Sequence, residues 1–229
     1  MEFFQDIQQD FYKCFIREDR YMLFLDGIGV TIKISLLAIV IGVAIGLLIA
    51  LCSLSSKKFL RGIGKVYTDV IRGTPSVTQL MIIYFVIFAS VHIDKWIIAA
   101  IAFGINSGAY VSEIIRAGIL SIDKGQTEAG RSLGLSVSQT MIRIVIPQAV
   151  KNILPTLGNE FISLIKETSV VSFVGAADLY VAFNYIGSNS YEFMVPYLVM
   201  ALIYIVLVLI ISLLIKLMER SLKKSDRRN

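Results

Sequence analysis

Long stretches without a charged side chain constrain the fold of this chain more than any other feature. Three stretches contain no Asp, Glu, Lys or Arg: residues 34–56, 73–93 and 193–215. Each of them is long enough for a helix to cross the roughly 30 Å of hydrocarbon in a bilayer. Residues 96–112 and 144–165 are two further candidates, the second of which is interrupted by Lys151 and Glu160. The sequence therefore predicts an all-α integral membrane protein with about five transmembrane helices.

The few charged residues, only 17% of the 229, predict how the chain is oriented in the membrane. Basic residues close to a span are retained on the cytoplasmic side. Acidic residues outnumber basic ones by six to three in residues 1–27 and by three to one in residues 166–192. Basic residues are in excess in residues 53–72, in residues 118–151 and in the tail from Lys216 onwards. This alternation predicts an N-terminus outside and a C-terminus in the cytoplasm. The net charge of +5 reflects topology and gives no indication of nucleic-acid binding.

A polar segment at residues 123–147 separates the third and fourth predicted spans. Asp123 with Gln126, and Ser136 with Gln139, have the spacing of a capping box at the start of a helix. Gly134 is placed to end the first of the two short helices that this spacing predicts. Two short helices with a glycine break form a rigid knob that suits docking to another protein. The alternative is an ordinary capped loop.

Part of that segment, EAGRSLGLSVSQTMIRIVIP at residues 128–147, resembles the cytoplasmic coupling loop of ABC importer permeases. The pattern of that family is Glu-Ala-Ala, three free positions, Gly, nine free positions, then Ile, one free position, Leu and Pro. Five positions of this chain are in register with the pattern: Glu128, Ala129, Gly134, Ile144 and Pro147. Gly130 replaces an alanine of the pattern, and Ile146 replaces its leucine.

Three further segments resemble the polar amino-acid branch of these permeases, which includes histidine, glutamine and arginine permease subunits. They are RGTP at residues 72–75 followed by Gln79 and Leu80, SGAYVSEIIRAG at residues 107–118, and GNEFISLIKETSVVSFVG at residues 158–175. The resemblance runs from about Gly27 to Tyr204. Separate motifs in the right order are more specific than the coupling loop alone.

This resemblance implies a fold, a location and a set of partners. The fold would be that of a type I ABC importer permease, multi-pass in the bacterial cytoplasmic (inner) membrane. Its permease domain, residues 28–217, would lie between an extracytoplasmic segment, residues 1–27, and a basic cytoplasmic tail, residues 218–229. The partners would be a second permease chain, identical or not, two ABC ATPase subunits and an extracytoplasmic amino-acid-binding protein. The residues implied to couple the chain to an ATPase are Glu128, Ala129, Gly130, Gly134 and Pro147.

The chain itself carries no motif of an enzyme. It has no GxxxxGK[ST] phosphate loop, so ATP and Mg are expected on the partner ATPase and not here. HExxH and cysteine–histidine clusters are also missing, and we expect no catalytic residue, no cofactor site and no metal site. The single histidine, His92, is predicted to be incidental at an outer span end. Cys14 and Cys52 are predicted near opposite sides of the membrane, where they cannot pair.

Polar residues inside the predicted spans indicate a hydrated route for a substrate. A charged side chain at mid-membrane costs roughly 2.5 to 3.5 kcal/mol on insertion scales, so it should face a cavity or a partner. The residues predicted to line the route are Asn159, Glu160, Ser163, Lys166, Asn106, Tyr110 and Gln79. Asn152 and Thr156 extend the same polar face. The alternative is a structural network, in which Glu113 pairs with Arg116.

Residues 169–190 are too interrupted for a clean span. They contain Gly175, Asp178 and Asn184 within apolar sequence, which is typical of a short scaffold or re-entrant helix on the outer side. Asp178 and Glu192 are then expected either to add negative charge to the outer mouth or to be solvated loop charges.

Together these features predict the permease subunit of an ATP-driven ABC importer for polar amino acids, working by alternating access. Glu160 and the acidic outer segments favour a basic amino acid such as arginine, lysine or histidine, with glutamine as the competing substrate. An ion-coupled secondary transporter or channel is the alternative, with Glu160 and Lys166 as ion or proton sites. A membrane enzyme is a third hypothesis, against which the missing catalytic cluster counts.

Overall fold

A computed structural model describes residues 2–226, with side chains from residue 5 to residue 222, and every regular element in that range is helical. The α-helices follow in this order: α1 Glu2–Phe11, α2 Tyr21–Leu54, α3 Lys58–Arg72, α4 Ser76–Ile82, α5 Lys95–Leu120, α6 Lys124–Ser132, α7 Val137–Thr140, α8 Ile146–Glu167, α9 Leu179–Ser190 and α10 Met194–Asp226. Shorter helical turns lie between them: π-helical turns at Tyr12–Ile16, Ile83–Ile87 and Met141–Val145, and a 3₁₀ helix at Thr168–Val174. The prediction of an all-α protein is confirmed.

Within the described residues, three helices are long and apolar enough to cross a membrane by themselves: α2, α5 and residues Met194–Leu222 of α10. Two bent helix pairs raise the number of candidate spans to five if each pair counts as one. One pair is α3 with Ser76–Ile87, bent by 101°, and the other is Val137–Val174 with α9, bent by 54°. The predicted number of about five spans agrees with the upper count.

The predicted span over residues 73–93 is not a single helix of that length. The helical residues there run only from Ser76 to Ile87, and they meet α3 at the bend of 101°. A helix of that length covers only about 18 Å at 1.5 Å per residue. The bend falls at Pro75, whose φ of −63° and ψ of 136° are extended and whose nitrogen carries no hydrogen to continue the helix. The lack of charge identified an apolar segment but not the point where its helix breaks.

The chain forms two compact units, of which unit 1 comprises Met1–Ala38, Pro75–Phe103 and Ser163–Ile210. Its apolar core is built from Cys14, Phe15, Leu179, Phe183, Ile186 and Val195. Phe24 stacks on Phe183 with ring centroids 5.6 Å apart, and Phe15 meets Phe183 edge-on at 5.8 Å. These ring contacts join α2, α9 and the turn that follows α1.

Unit 2 comprises Ile39–Thr74, Gly104–Ile162 and Ile211–Asn229. Its core is built from Ala50, Val111, Ile115, Ala149 and Ile153. Here α2 and α5 approach closely because α2 presents glycines. A Cβ atom on Gly42 would lie 2.9 Å from Ser107 Oγ, and one on Gly46 would lie 2.6 Å from Val111 Cγ1. These distances are below van der Waals contact, so glycine is needed for this packing.

Candidate functional site

The segment that resembles the coupling loop begins with α6, whose start is capped differently from the prediction. The Asp123 carboxylate accepts a hydrogen bond from the Gly125 N–H at 2.6 Å. Gln126 does not complete the expected capping box, because its side-chain oxygen accepts from Gln148 Nε2 at 3.3 Å. The Asp123 cap is therefore present, while Gln126 ties α6 to the start of α8.

The second capping box is confirmed, but the helix that follows it is not short. Ser136 Oγ accepts from the Gln139 N–H at 3.2 Å, and Gln139 Oε1 accepts from the Ser136 N–H at 2.8 Å. From there α7 continues through the π-helical turn into α8 without a stop. The Ile146 N–H bonds to the Met141 carbonyl in the wider π register. Pro147 then has no N–H to offer the next carbonyl, which suits a change of register at this point.

The turn between α6 and α7 is fixed by two glycines with different roles. Gly134 has φ of +83°, a left-handed conformation that ends α6 as predicted. Gly130 is buried, and a Cβ atom there would lie 2.7 Å from Thr140 Cγ2. This contact explains why glycine stands in this chain where the family pattern has alanine. Across the turn, Arg131 Nη1 donates to the Leu135 carbonyl at 2.7 Å.

The outside of this helical turn carries apolar side chains that the described chain does not cover. Leu133 is 80% exposed, Val137 63% and Ile142 64%. Glu128 and Ala129 lie on the exposed part of α6, and Pro147 is also exposed. A rigid, capped turn with an exposed apolar tip is the form expected of a docking element.

An open cavity of about 510 Å³ lies within unit 2, next to the C-terminal residue of α3. Its walls come from α5 and α8, together with the last residue of α3. The lining residues are Arg72, Tyr110, Glu113, Ile114, Ala117, Gly118, Ser121, Asn152, Thr156 and Glu160. The volume is within the roughly 300 to 1,000 Å³ that is usual for small-molecule sites.

Charged groups of both signs face this cavity. The Arg72 guanidinium lies over the Tyr110 ring, 5.2 Å from its centroid. The Glu160 carboxylate accepts a hydrogen bond from Ser107 Oγ at 2.7 Å. Glu113 is held by Arg116 in an ion pair of 2.7 Å within α5, as the alternative interpretation of that pair expected. Arg72 and Glu160 are therefore the two cavity charges outside that ion pair.

The predicted route residues are distributed over both units. Tyr110 and Glu160 line the cavity of unit 2, whereas Asn106 is buried in α5 and Asn159 is exposed on α8. Three others belong to unit 1 and do not line this cavity: Gln79, Ser163 and Lys166.

Sequence reasoning missed Arg72 as a residue that lines the cavity and Ser107 as the donor to the Glu160 carboxylate. Arg72 opens the RGTP segment and belongs to the basic stretch of residues 53–72, and Ser107 begins the SGAYVSEIIRAG segment. Neither sequence feature by itself indicates a cavity residue or a partner for Glu160. Asn152, which extended the predicted polar face, does line the cavity and donates to Ser121 Oγ at 3.0 Å.

Both expectations for Asp178 are wrong, because its carboxyl group neither faces an outer mouth nor contacts solvent. The residue is fully buried at the start of α9, where Oδ1 accepts from the Val181 N–H at 3.0 Å. Asp178 Oδ2 and Tyr204 Oη lack a hydrogen-bond partner. Spacing along the chain gave no sign that this carboxylate, which caps α9, is buried. Glu192 caps α10 instead, accepting from the Met194 N–H at 2.9 Å.

Among residues 5–222, whose side chains the structure describes, no group of three His, Cys, Asp or Glu side chains could hold a metal ion. Both cysteines are free, and Cys14 is buried, with its thiol 3.4 Å from Ser190 Oγ.

Comparison with known proteins assigns the chain to a family. Residues 42–224 match the family of binding-protein-dependent transport system inner membrane components. The arginine transport system permease protein of Bacillus subtilis is 42% identical over 88% of this chain and 93% of its own length. The L-cystine transport system permease protein of the same species is 40% identical over 82% of this chain and 81% of its own.

A solved structure of an amino acid ABC transporter with histidines is similar in fold as well as in sequence. Its TM-score is 0.82 at 45% identity, over 88% of this chain and 94% of that one. The family match over residues 42–224 includes the coupling-loop segment, the residues that line the cavity and both bent helix pairs. This chain therefore belongs to the binding-protein-dependent transport system inner membrane components, in the branch of amino-acid ABC importer permeases.

Proposed function

We propose that this chain carries a polar, basic amino acid across the membrane by alternating access, with its coupling loop docked on an ATPase subunit. The proposed substrate is supported by the cavity in which Arg72 and Glu160 present opposite charges. The proposed docking on an ATPase subunit is supported by the capped turn with exposed Leu133, Val137 and Ile142.

The cavity suits a zwitterion. An amino acid needs donors for its carboxylate and an acceptor for its ammonium group. The Arg72 guanidinium offers a planar set of donors, and its stacking on Tyr110 pre-orients it. Glu160 offers an acceptor for a cationic group of the substrate, and Ser107 orients its carboxylate. Asn152 and Ser121 supply further polar groups on the wall.

A substrate with a basic side chain needs one more hydrogen-bond acceptor in the site than a substrate with a neutral side chain. Glu160 meets this need if the α-ammonium group of the substrate binds to backbone or amide oxygens. Arginine is the substrate named for the relative that is 42% identical, while cystine is named for the one at 40%. Overall identity therefore supports amino-acid cargo, and the cavity charge is the argument for a basic one.

Movement of the ATPase subunits would be transmitted to the membrane helices through a short, rigid helical connection. Because α7 runs into α8 without a stop, a force on the tip residues acts directly on the helix that carries Glu160. ATP and Mg would stay on two partner ATPase subunits, since this chain has no phosphate loop. Closure of the ATPases would draw the coupling loops of this chain and a second permease chain together and reopen the pair outward.

The cargo assignment is tested with Glu160→Gln and Arg72→Gln in the purified permease–ATPase complex. Glu160→Gln should weaken arginine binding by about tenfold, the cost of one charge-assisted hydrogen bond, and should affect glutamine much less. Arg72→Gln should weaken both amino acids alike, because both carry the same carboxylate. Glu192→Gln, outside the cavity, is the matched control.

Isothermal calorimetry, with uptake competition as a second readout, measures these affinities. If Glu160→Gln weakens arginine and glutamine equally, then Glu160 binds the common ammonium group or supports the structure. The case for basic cargo would then be lost.

A further inference from the structure

α3 has an apolar side that the rest of the described chain leaves open. Phe59 on this side is 79% exposed, and Ile63, Val66 and Val70 are exposed as well. These side chains border a groove of about 660 Å³ that runs along the helix. The lining residues are Lys58, Phe59, Gly62, Ile63, Val66, Tyr67, Val70 and Ile71. Apolar surface of this extent on a membrane protein is covered by lipid or by another protein.

A second side of α3 holds the groove in place by packing on α2 and α5. Gly64 and Thr68 are buried there, and a Cβ atom on Gly64 would lie 3.3 Å from the Ile49 carbonyl oxygen of α2. Tyr67 Oη donates to the Ile105 carbonyl of α5 at 2.6 Å. Because these contacts lie within unit 2, the groove is formed before any ligand arrives.

The third side of α3 is charged and faces the cavity. It consists of Arg61, Lys65, Asp69 and Arg72, all of them exposed. Helical spacing places this side away from the apolar side. Arg72 lines the cavity of unit 2. A second permease chain that closes this cavity would meet the charged side of α3, so the groove on the apolar side stays open to lipid.

The charge at one end of the groove indicates which class of lipid fits. Among the described residues that line the groove, Lys58 is the only charged one, and exposed Lys57 precedes it. The lining residues extend over about 20 Å at 1.5 Å per residue, which matches one leaflet of roughly 15 Å, half of the hydrocarbon core. Lysines at such an end extend to the headgroup layer, where they attract anionic lipids.

We infer that this groove on α3 is a binding site for an anionic phospholipid of the cytoplasmic leaflet. One acyl chain would lie along Phe59, Ile63 and Val66, and the phosphate would contact Lys58. Gly62 leaves room for the chain, because a Cβ atom there would meet no other atom within 4 Å. The cytoplasmic leaflet follows from the predicted orientation, in which the basic residues 53–72 face the cytoplasm.

The test places the photoreactive residue benzoylphenylalanine at position 59, in the complete permease–ATPase complex. The complex is reconstituted in equal amounts of phosphatidylglycerol and phosphatidylcholine and irradiated, and mass spectrometry identifies the adducts. Phosphatidylglycerol adducts should exceed phosphatidylcholine adducts by about fivefold, the preference expected of one lysine near the headgroups. Lys58→Gln should remove this excess. Lys65→Gln is the matched control, because it removes the same charge from the other exposed side of α3 and should keep the excess.

Gly62→Trp provides a second test that leaves the charges unchanged. Its side chain should fill the groove and reduce the adducts of both lipids at position 59. Gly29→Trp adds the same bulk at another open helical glycine, in α2, and should leave the adducts unchanged. Co-purification of the intact complex shows that each variant folds.

Equal adducts of the two lipids in the parent would overturn the inference, because position 59 would then contact bulk bilayer alone. An adduct with a second permease chain or an ATPase subunit would also overturn it, since a protein would cover the groove. An excess that persists in Lys58→Gln would contradict the phosphate contact. The adducts form without transport, so failure of the proposed function would leave this result standing.

Discussion

A single buried carboxyl group, that of Asp178, illustrates what residue-level geometry adds to the sequence. Its Oδ1 caps α9, whereas its Oδ2 has no hydrogen-bond partner although the residue is completely buried. Thr31 Oγ1 also accepts from the Leu179 N–H at 3.2 Å, so two side chains satisfy the first turn of α9. The cap stabilises α9, while burial of the charge opposes it.

Substitution of Asp178 separates these two contributions. Asp178→Asn should leave the melting temperature of the purified complex unchanged or raise it. Asparagine caps helices as well as aspartate, and its amide adds a donor near Tyr204 without a charge. Asp178→Ala should cost about 1 to 2 kcal/mol, because the cap is lost and a buried N–H is left without a partner.

Thermal unfolding in detergent measures both variants, with Asn189→Ala on the exposed side of α9 as the control. Asn189 Nδ2 donates to the carbonyl of Tyr185, one turn earlier in α9, at 2.9 Å. An Asp178→Asn protein as unstable as Asp178→Ala would show that the carboxylate charge itself is required.

At the scale of elements, local chemistry predicted the coupling segment better than the spans. The Ser136–Gln139 box and the stop at Gly134 depend on near neighbours in sequence, and both are confirmed. The break before Pro75 was missed because absence of charge says nothing about helix direction. The hydrogen bond between Ser107 and Glu160 was missed for another reason, because packing of α5 against α8 brings together two residues that lie 53 positions apart.

The exposed tip of the coupling segment gives a prediction at this scale. Val137→Asp or Leu133→Asp should abolish ATP-driven uptake and weaken co-purification of the ATPase, because a charge would be buried in an apolar contact. The apolar spans are untouched, so the permease should still fold. Ser138→Asp places the same charge on the neighbouring exposed polar position and should be tolerated.

Uptake assays and co-purification from membranes measure these three variants, and Glu128→Arg provides a charge reversal within the same segment. The docking assignment would be contradicted by Leu133→Asp complexes that retain the ATPase and transport at the parental rate.

At the scale of the whole molecule, composition was enough to predict the class but not the details. Apolar runs predicted an all-α membrane protein, and the family match agrees. Orientation stays a prediction that rests on the distribution of basic residues. The division into two units could not be predicted, because the boundaries at Ala38 and Ile162 fall inside continuous helices. Contacts between distant segments decide those boundaries, and no local pattern marks them.

The central claim is that ATP hydrolysed by partner subunits drives amino-acid import through this chain. It is tested most directly by uptake of labelled arginine into proteoliposomes that contain the complete complex, with the binding protein outside. The account predicts uptake that requires ATP enclosed in the vesicles and persists when ionophores collapse all ion gradients. Uptake that proceeds without ATP and follows an imposed proton or sodium gradient would contradict it and identify an ion-coupled transporter instead.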